Sequence, residues 1–338
     1  MWGGIFVSPT KITWSCYKAN QSCAQFACRF DLKNYLAARL TDETMSMTNE
    51  APVCLWQVDA ELGEGPIWHH GDRSVYFVDV KRRQIHRCNE NGTQRKSWSA
   101  PQQIGFIVPA TGGNFICGLQ DGLHHFSCTT ELFTRCNDVE REVLGNRLND
   151  GYVDRCGQIW FGSMDDSETR PTGALYSMDK SGTVIPRDEN YVITNGPAVS
   201  PDGRTLYHTD TVNKSIYAFD LGLENNLTNK RLFVKIADQG YPDGMAVDAD
   251  GFVWVALFGG WRIDRFSTSG KLVGTTAFPC ANITKLAFGG TDLCTVFVTT
   301  ARKGLTSEDL VRQPLAGGLF SFRSQTPGLP QHIFSPDF

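Results

Sequence analysis

Residues 195–220 read NGPAVSPDGRTLYHTDTVNKSIYAFD, and the features of that stretch recur along the chain. Asn195-Gly196-Pro197 opens a short apolar step, Asp202-Gly203 is a turn signal, and Leu206-Tyr207-His208 and Ile216-Tyr217-Ala218 are β-type runs. Runs like the first are Val75-Tyr76-Phe77, Phe115-Ile116-Cys117, Ile159-Trp160-Phe161, Val253-Trp254-Val255 and Val296-Phe297-Val298. Their middle residues, with Tyr207 included, are 40, 44, 47, 47 and 43 residues apart. A second run follows each of them, at Ile85, Leu123, Leu175, Ile216, Ile263 and Leu319. Gly71-Asp72, Gly112-Gly113 and Asp250-Gly251 precede first runs, and Asn91-Gly92, Ser181-Gly182 and Ser269-Gly270 follow second ones. Helical periodicity is absent from this core. A unit of this length holding several strands matches a propeller blade rather than a helical solenoid. The prediction is therefore an all-β fold, a six-bladed β-propeller of four-stranded antiparallel blades over residues 51–338. An isolated blade leaves its faces unburied, so the ring must close, and residues 53–58 are expected to lend a strand to the last blade.

Composition excludes several classes. The 338 residues carry 32 Lys and Arg against 36 Asp and Glu, a net charge of −4, which gives no basic field for nucleic acid. At 41% hydrophobic and 20% charged the chain is not of disordered composition, and no apolar run reaches the length of a membrane span. Its 33 Gly and 15 Pro suit a fold with many tight turns. The 11 cysteines are odd in number, irregularly spaced and without a Cys-x-x-Cys pair, so neither a zinc ribbon nor a disulfide framework fits. Reduced thiols in a cytoplasmic protein are the expectation, as a monomer or weak oligomer. Residues 1–50 differ in kind: Lys11, Lys18 and Arg29 stand among the first thirty residues without an acid, and a signal-peptide core and arginine-dense transit sequence are both missing. They are assigned as an N-terminal extension, either dispensable or preceding a true start at Met45 or Met47.

Polar residues recur at one phase of the repeat. Upstream of the first runs stand Glu64-Gly65-Pro66, Asn149-Asp150-Gly151, Asn195-Gly196-Pro197 and Asp243-Gly244, and Glu64 and Asn195 lie 12 residues, Asn149 and Asp243 11 residues, before the middle of the next run. Equal phase implies equal height on the innermost strands, so these side chains should converge at one mouth of the central channel. The corresponding places in the second and last units, near Ile104-Gly105 and Thr284-Lys285, are apolar or weakly polar. Asp-Gly and Asn-Gly are common turn formers, which explains any one of these residues alone. Glu64 does not fit that explanation, because Glu-Gly is a poor turn signal and a carboxylate opening a buried strand needs a partner. Two carboxylates and two amides suit a hard cation such as Ca²⁺, Mg²⁺ or Mn²⁺.

The loops point to the same mouth. From Trp160 to Leu175 is 15 residues and from Phe297 to Leu319 is 22, against 7 to 9 in the other units. Antiparallel alternation brings both insertions, around residues 165–172 and 302–317, over the polar end, to bind substrate or cap the channel. There is no Gly-x-Ser-x-Gly elbow, Walker loop or dinucleotide fingerprint. His69-His70 and His124-His125 are neighbours whose side chains leave a strand on opposite faces, which favours a loop or surface place over metal ligation. Trp160 and Trp254 are expected to pack blades.

The stretches Leu62-Gly63-Glu64-Gly65-Pro66-Ile67-Trp68, Asn146-Arg147-Leu148-Asn149-Asp150-Gly151, Asn195-Gly196 and Pro242-Asp243-Gly244-Met245 together resemble the SMP-30/gluconolactonase/luciferin-regenerating-enzyme-like family, over about residues 52–335. The resemblance implies a six-bladed propeller that hydrolyses sugar lactones with one divalent cation, among Ca, Zn, Mn, Mg and Fe(II). It also implies Glu64, Asn195 and Asp243 as metal ligands and Arg147 and Asn149 as substrate contacts. Many relatives carry an acidic pair that reaches the substrate after Phe161-Gly162-Ser163-Met164. Here Asp165-Asp166-Ser167-Glu168 follow, and Glu168 is assigned to that role with its neighbours as alternatives. The form is closer to bacterial sugar-acid lactonases than to animal regucalcins, so a pentono- or hexonolactone is the expected partner.

The chemistry of these residue types agrees. A cation held by three protein groups keeps open positions and can polarise a lactone carbonyl, and no serine nucleophile is required. Asp243 could serve as ligand and as general base, since its second oxygen can take a proton from water. Arg147 would donate forked hydrogen bonds to substrate oxygens, or else form a salt bridge with Asp150 or a neighbouring blade. Two other functions use the same residues: a metal-dependent phosphotriesterase or arylesterase, and a non-catalytic calcium-binding propeller whose ligands pin the blades together.

Overall fold

A computed structural model describes residues 51–222 and 225–337, so the extension over residues 1–50 lies outside the described residues. Six four-stranded antiparallel sheets follow one another along the chain. Blade 1 runs from Gly63–His69 to Lys96–Ser99, blade 2 from Phe106–Ala110 to Phe133–Asp138, and blade 3 from Asn146–Val153 to Val184–Tyr191. Blade 4 runs from Thr194–Val199 to Leu227–Lys235 and blade 5 from Tyr241–Val247 to Leu272–Ala277. Blade 6 takes Ile283–Gly289, Thr295–Thr300 and Leu319–Arg323 from the C-terminal part and its outermost strand, Val53–Trp56, from the start of the described chain. In that closure Val53 pairs with Ser321, Cys54 with Phe320 and Trp56 with Leu319. The closing strand is thus shorter than the expected 53–58, because Val58 N–H turns back to the Trp56 carbonyl.

The apolar triplets are the second strands of the blades, and they are buried on both faces because neighbouring sheets stack on them. Outermost strands such as Leu272–Ala277 are largely exposed. Trp160 and Trp254 are fully buried, and each donates its indole N–H, over 2.8 Å, to the aspartate six residues before it, Asp154 and Asp248. That repeated anchor turns two aspartates into structural acceptors. The first strand of every blade faces the channel. A single short α-helix among the described residues, Ser307–Arg312, lies in the 22-residue insertion, where Thr306 and Asp309 cap its start reciprocally. No helix among them is long and apolar enough to cross a membrane.

Candidate active site

The inner strands acquire their polar residues through breaks in register. In blade 1 the pairing slips between Glu64 and Ile67, in blade 3 between Leu148 and Gly151, in blade 4 between Asn195 and Ala198, and in blade 5 between Pro242 and Met245. Each slip is a β-bulge, which bends the strand and re-aims a side chain that strict alternation would send elsewhere. Gly196 shows the backbone requirement: its φ of +46° is the left-handed region, and a Cβ there would stand 2.9 Å from Met245. Pro197 follows without cost, since a bulge needs no ladder N–H at that place. Blade 2 pairs without interruption from Phe106 to Ala110 and offers no polar side chain.

All six residues expected at the site line one cavity of about 300 Å3: Glu64, Arg147, Asn149, Glu168, Asn195 and Asp243. Three larger clefts, of about 740, 600 and 400 Å3, are lined by blades 3 and 4, by blades 4 and 5 and by blade 6, and gather no comparable set of buried charges. At the floor, Glu64 and Asp243 are each only 5% exposed. Burial, and then the charge of Asp150, push the Glu64 carboxyl up to about 8, although Lys285 pulls it back. Burial also raises Asp243 well above the usual carboxylate range, with Glu64 and Asp150 adding repulsion. Asp243 accepts no hydrogen bond from any described residue.

The two amides differ from the carboxylates. Asn149 is occupied at all but one position: its Oδ1 accepts from Arg147 Nη1 at 2.6 Å and keeps a second lone pair, and its Nδ2 donates to the Thr194 carbonyl and to Asn195 Oδ1, both at 2.7 Å. Asn195 donates its Nδ2 to Thr211 Oγ1 at 2.9 Å, which leaves its Oδ1 on the side of Asn149. Arg147 is almost fully buried and donates its Nε to Asp166 Oδ1 at 2.7 Å, so its salt bridge is with Asp166 rather than Asp150. Asp166 also receives Lys81 Nζ at 2.6 Å and Gln103 Nε2 at 3.0 Å. Burial opposes ionisation of Asp166, but Lys81, Gln103 and Arg147 outweigh it and hold the carboxyl near 2.

Of the acidic residues after Met164, Asp165 turns into its own loop, accepting from Ser167, Thr169 and Arg170. Asp166 braces Arg147, and Glu168 reaches the cavity, where it pairs with Lys303 of the other long insertion. Both insertions thus stand over the polar mouth. His69 and His124 pair with Asp72 and Asp121, and no histidine lines the cavity.

Three participants escape the sequence reading. Asp150, which looks like a turn former, instead accepts N–H bonds from Gly151 at 2.7 Å and Gly196 at 2.8 Å and an ion pair from Lys285 across the channel. Lys285 stands 12 residues before Phe297, the phase of Glu64 and Asn195, and a lysine in the buried stretch Ile283-Thr284-Lys285-Leu286 was the available signal. Lys303 left no local signal.

The donor set fits a hard divalent cation. Two crowded buried carboxylates, one of them without a hydrogen-bond partner, are only partly offset by Lys285 and Lys303, and a carboxamide oxygen stands nearby. Among the described residues no three His, Cys, Asp or Glu side chains converge on one point, so the set is two carboxylates with an amide.

Residues 62–302 match the SMP-30/Gluconolactonase/LRE-like region. The chain belongs to that family. It is 29% identical over 289 residues to a 6-deoxy-6-sulfogluconolactonase of Pseudomonas putida, with 85% of this chain and 99% of that protein covered. It is 32% identical over 282 residues to an L-arabinolactonase of Azospirillum brasilense, covering 81% and 92% of the two chains. Among solved structures, a calcium-binding regucalcin from Agrobacterium tumefaciens superposes with a TM-score of 0.81 at 25% identity, over 84% of this chain and 97% of that one. The blade count and strand order agree with the propeller expected from the repeat.

Proposed function

We propose that this member of the SMP-30/gluconolactonase/LRE-like family is a divalent-metal-dependent hydrolase that opens sugar lactones to the corresponding hydroxy acids. The observation that carries the proposal is the pair of buried carboxylates, Glu64 and Asp243, at the floor of a cavity that also holds Arg147 and Asn149. The lactonase names of two relatives support the reaction class.

Glu64, Asn195 and Asp243 would hold the cation, which when bound supplies Lewis-acid polarisation of the lactone carbonyl. Asp243, free of other hydrogen bonds, takes a proton from water as its oxygen attacks the carbonyl carbon, and passes it to the ring oxygen as the C–O bond breaks. Asn149 and Thr211 hold the Asn195 amide in one orientation. Arg147, gripped through Nε and Nη1, keeps Nη2 for a substrate oxygen, and Asp166 fixes the plane of its guanidinium. Glu168 accepts from substrate hydroxyls at the rim once Lys303 yields.

The test is a pH-stat assay over a panel of aldonolactones, with a phosphotriester and an aryl ester beside them, run with added Ca²⁺, Zn²⁺, Mn²⁺ or Mg²⁺ and with excess chelator. Lactone turnover abolished by chelator and restored by a cation is the expected result. Faster turnover of the triester or aryl ester would replace the proposal with the esterase alternative. A fall in melting temperature on chelation without turnover of any substrate would leave a calcium-binding propeller.

A further inference from the structure

The cavity has two unlike sides. Its floor is polar, Leu62 and Met164 add single apolar side chains from blades 1 and 3, and the wall at blades 4 and 5 gathers Ile193, Val212, Tyr241 and Phe258 beside Thr211. Val212 and Tyr241 form the rim there, 42% and 46% exposed. The wall is built on a fixed frame. Thr211 donates its backbone N–H to the Ile193 carbonyl at 3.2 Å and its hydroxyl to the Pro242 carbonyl at 2.8 Å, so Val212 is held by the residue that orients Asn195. Tyr241 and Phe258 face each other as a cross-strand pair in blade 5. The charged rim groups, Glu168 and Lys303, come from the long loops of blades 3 and 6 and are paired with each other.

Resting on the lactonase proposal, we infer that the preferred substrate is a lactone whose ring hydroxyls meet Arg147 and Asn149 and whose exocyclic carbon is a methyl or longer alkyl group seated against Ile193, Val212, Tyr241 and Phe258. Ile193, Val212 and Phe258 offer a hydroxyl neither donor nor acceptor, and Tyr241 has only its terminal phenol oxygen for that. An exocyclic hydroxymethyl group placed on this wall loses its hydrogen bonds to water, whereas a methyl group gains buried contact. The substrate class is therefore the 6-deoxyaldonolactones and their alkyl homologues rather than fully hydroxylated lactones.

Two matched pairs differ only by that hydroxyl: L-galactonolactone against L-fuconolactone, and L-mannonolactone against L-rhamnonolactone. With the cation supplied, kcat/KM should favour the 6-deoxy member by about 5- to 100-fold, the range expected when an apolar pocket discriminates a hydroxyl. Val212→Asn and Tyr241→Asn, both at exposed positions that a polar residue can occupy without unfolding, should each shrink the preference severalfold. Equal rates within a pair, preference for the hydroxylated member, or turnover of other lactones with neither 6-deoxy compound accepted would overturn the inference and leave the lactonase proposal standing. A preference that survives both substitutions would overturn its assignment to this wall. Failure of every lactone would remove the lactonase proposal first, and this inference with it.

Discussion

Replacing Lys285 by methionine isolates the charge that ties blade 6 to blade 3. Methionine keeps an unbranched side chain of similar reach and removes only the ammonium group. Lys285 donates to Asp150 Oδ1 and to the Gly151 carbonyl, and Asp150 is 2% exposed. Removing one partner of a buried ion pair costs about 3–5 kcal/mol, because the other charge remains buried. Asp150 would keep the N–H bonds of Gly151 and Gly196, which places the loss at the lower end, about 3 kcal/mol. At roughly 2–4 °C per kcal/mol for a folded unit of this size, Tm should fall by about 6–12 °C. Thermal and urea unfolding in excess chelator is the assay, since a bound cation would itself supply positive charge beside Glu64 and Asp243 and mask part of the effect. Adding Asp150→Asn to Lys285→Met should recover most of the loss, giving a coupling of about 2 kcal/mol or more between the two positions. A single variant within about 0.5 kcal/mol of the parent, or a double variant worse than either single, would refute the buried pair as the strut of the channel.

Asp243→Ala removes both a proposed ligand and the base, so lactone turnover should fall at least about a hundredfold with excess metal present; retained turnover in the pH-stat assay would remove Asp243 from the site. Arg147→Ala and Asn149→Ala should lower kcat/KM by about 5- to 150-fold while calorimetric metal binding persists, since their hydrogen bonds serve substrate and second-tier positioning. Loss of metal binding in Asn149→Ala would instead make it a ligand. His208 is fully buried beside Tyr191, and burial lowers its pKa to about 3. The unfolded chain therefore binds the extra proton below about pH 6.5, and stability should fall by about 2 kcal/mol between pH 6.5 and 4.5 from this residue. His86, lowered to about 4 by burial, acts in the same direction, so His208→Leu should reduce the acid slope in urea unfolding without abolishing it. An unchanged slope would show that His208 is not the group taking up the proton.

Blade number, ring closure and the height of the polar residues were legible in the chain because they depend on local properties. Apolar triplets such as Val253-Trp254-Val255 are buried wherever they pair, and turn pairs such as Asp202-Gly203 punctuate each unit. A carboxylate opening a buried strand, as Glu64 does, also announces a demand for a partner without reference to the rest of the fold. Equal phase nevertheless made Glu64, Asn149, Asn195 and Asp243 look alike. Only the folded ring separates them, by filling both donor positions and one acceptor position of Asn149 and leaving the Asp243 carboxylate without a hydrogen bond. The bulges that aim these side chains arise from a mismatch between two paired strands, which neither strand shows alone. The same holds for the charges that complete the site. Asp150 with Lys285 and Glu168 with Lys303 are each 135 residues apart in the chain. Such pairs depend on which loops and strands the closed ring brings to one mouth, and electrostatic energy follows distance in space and burial rather than position in sequence.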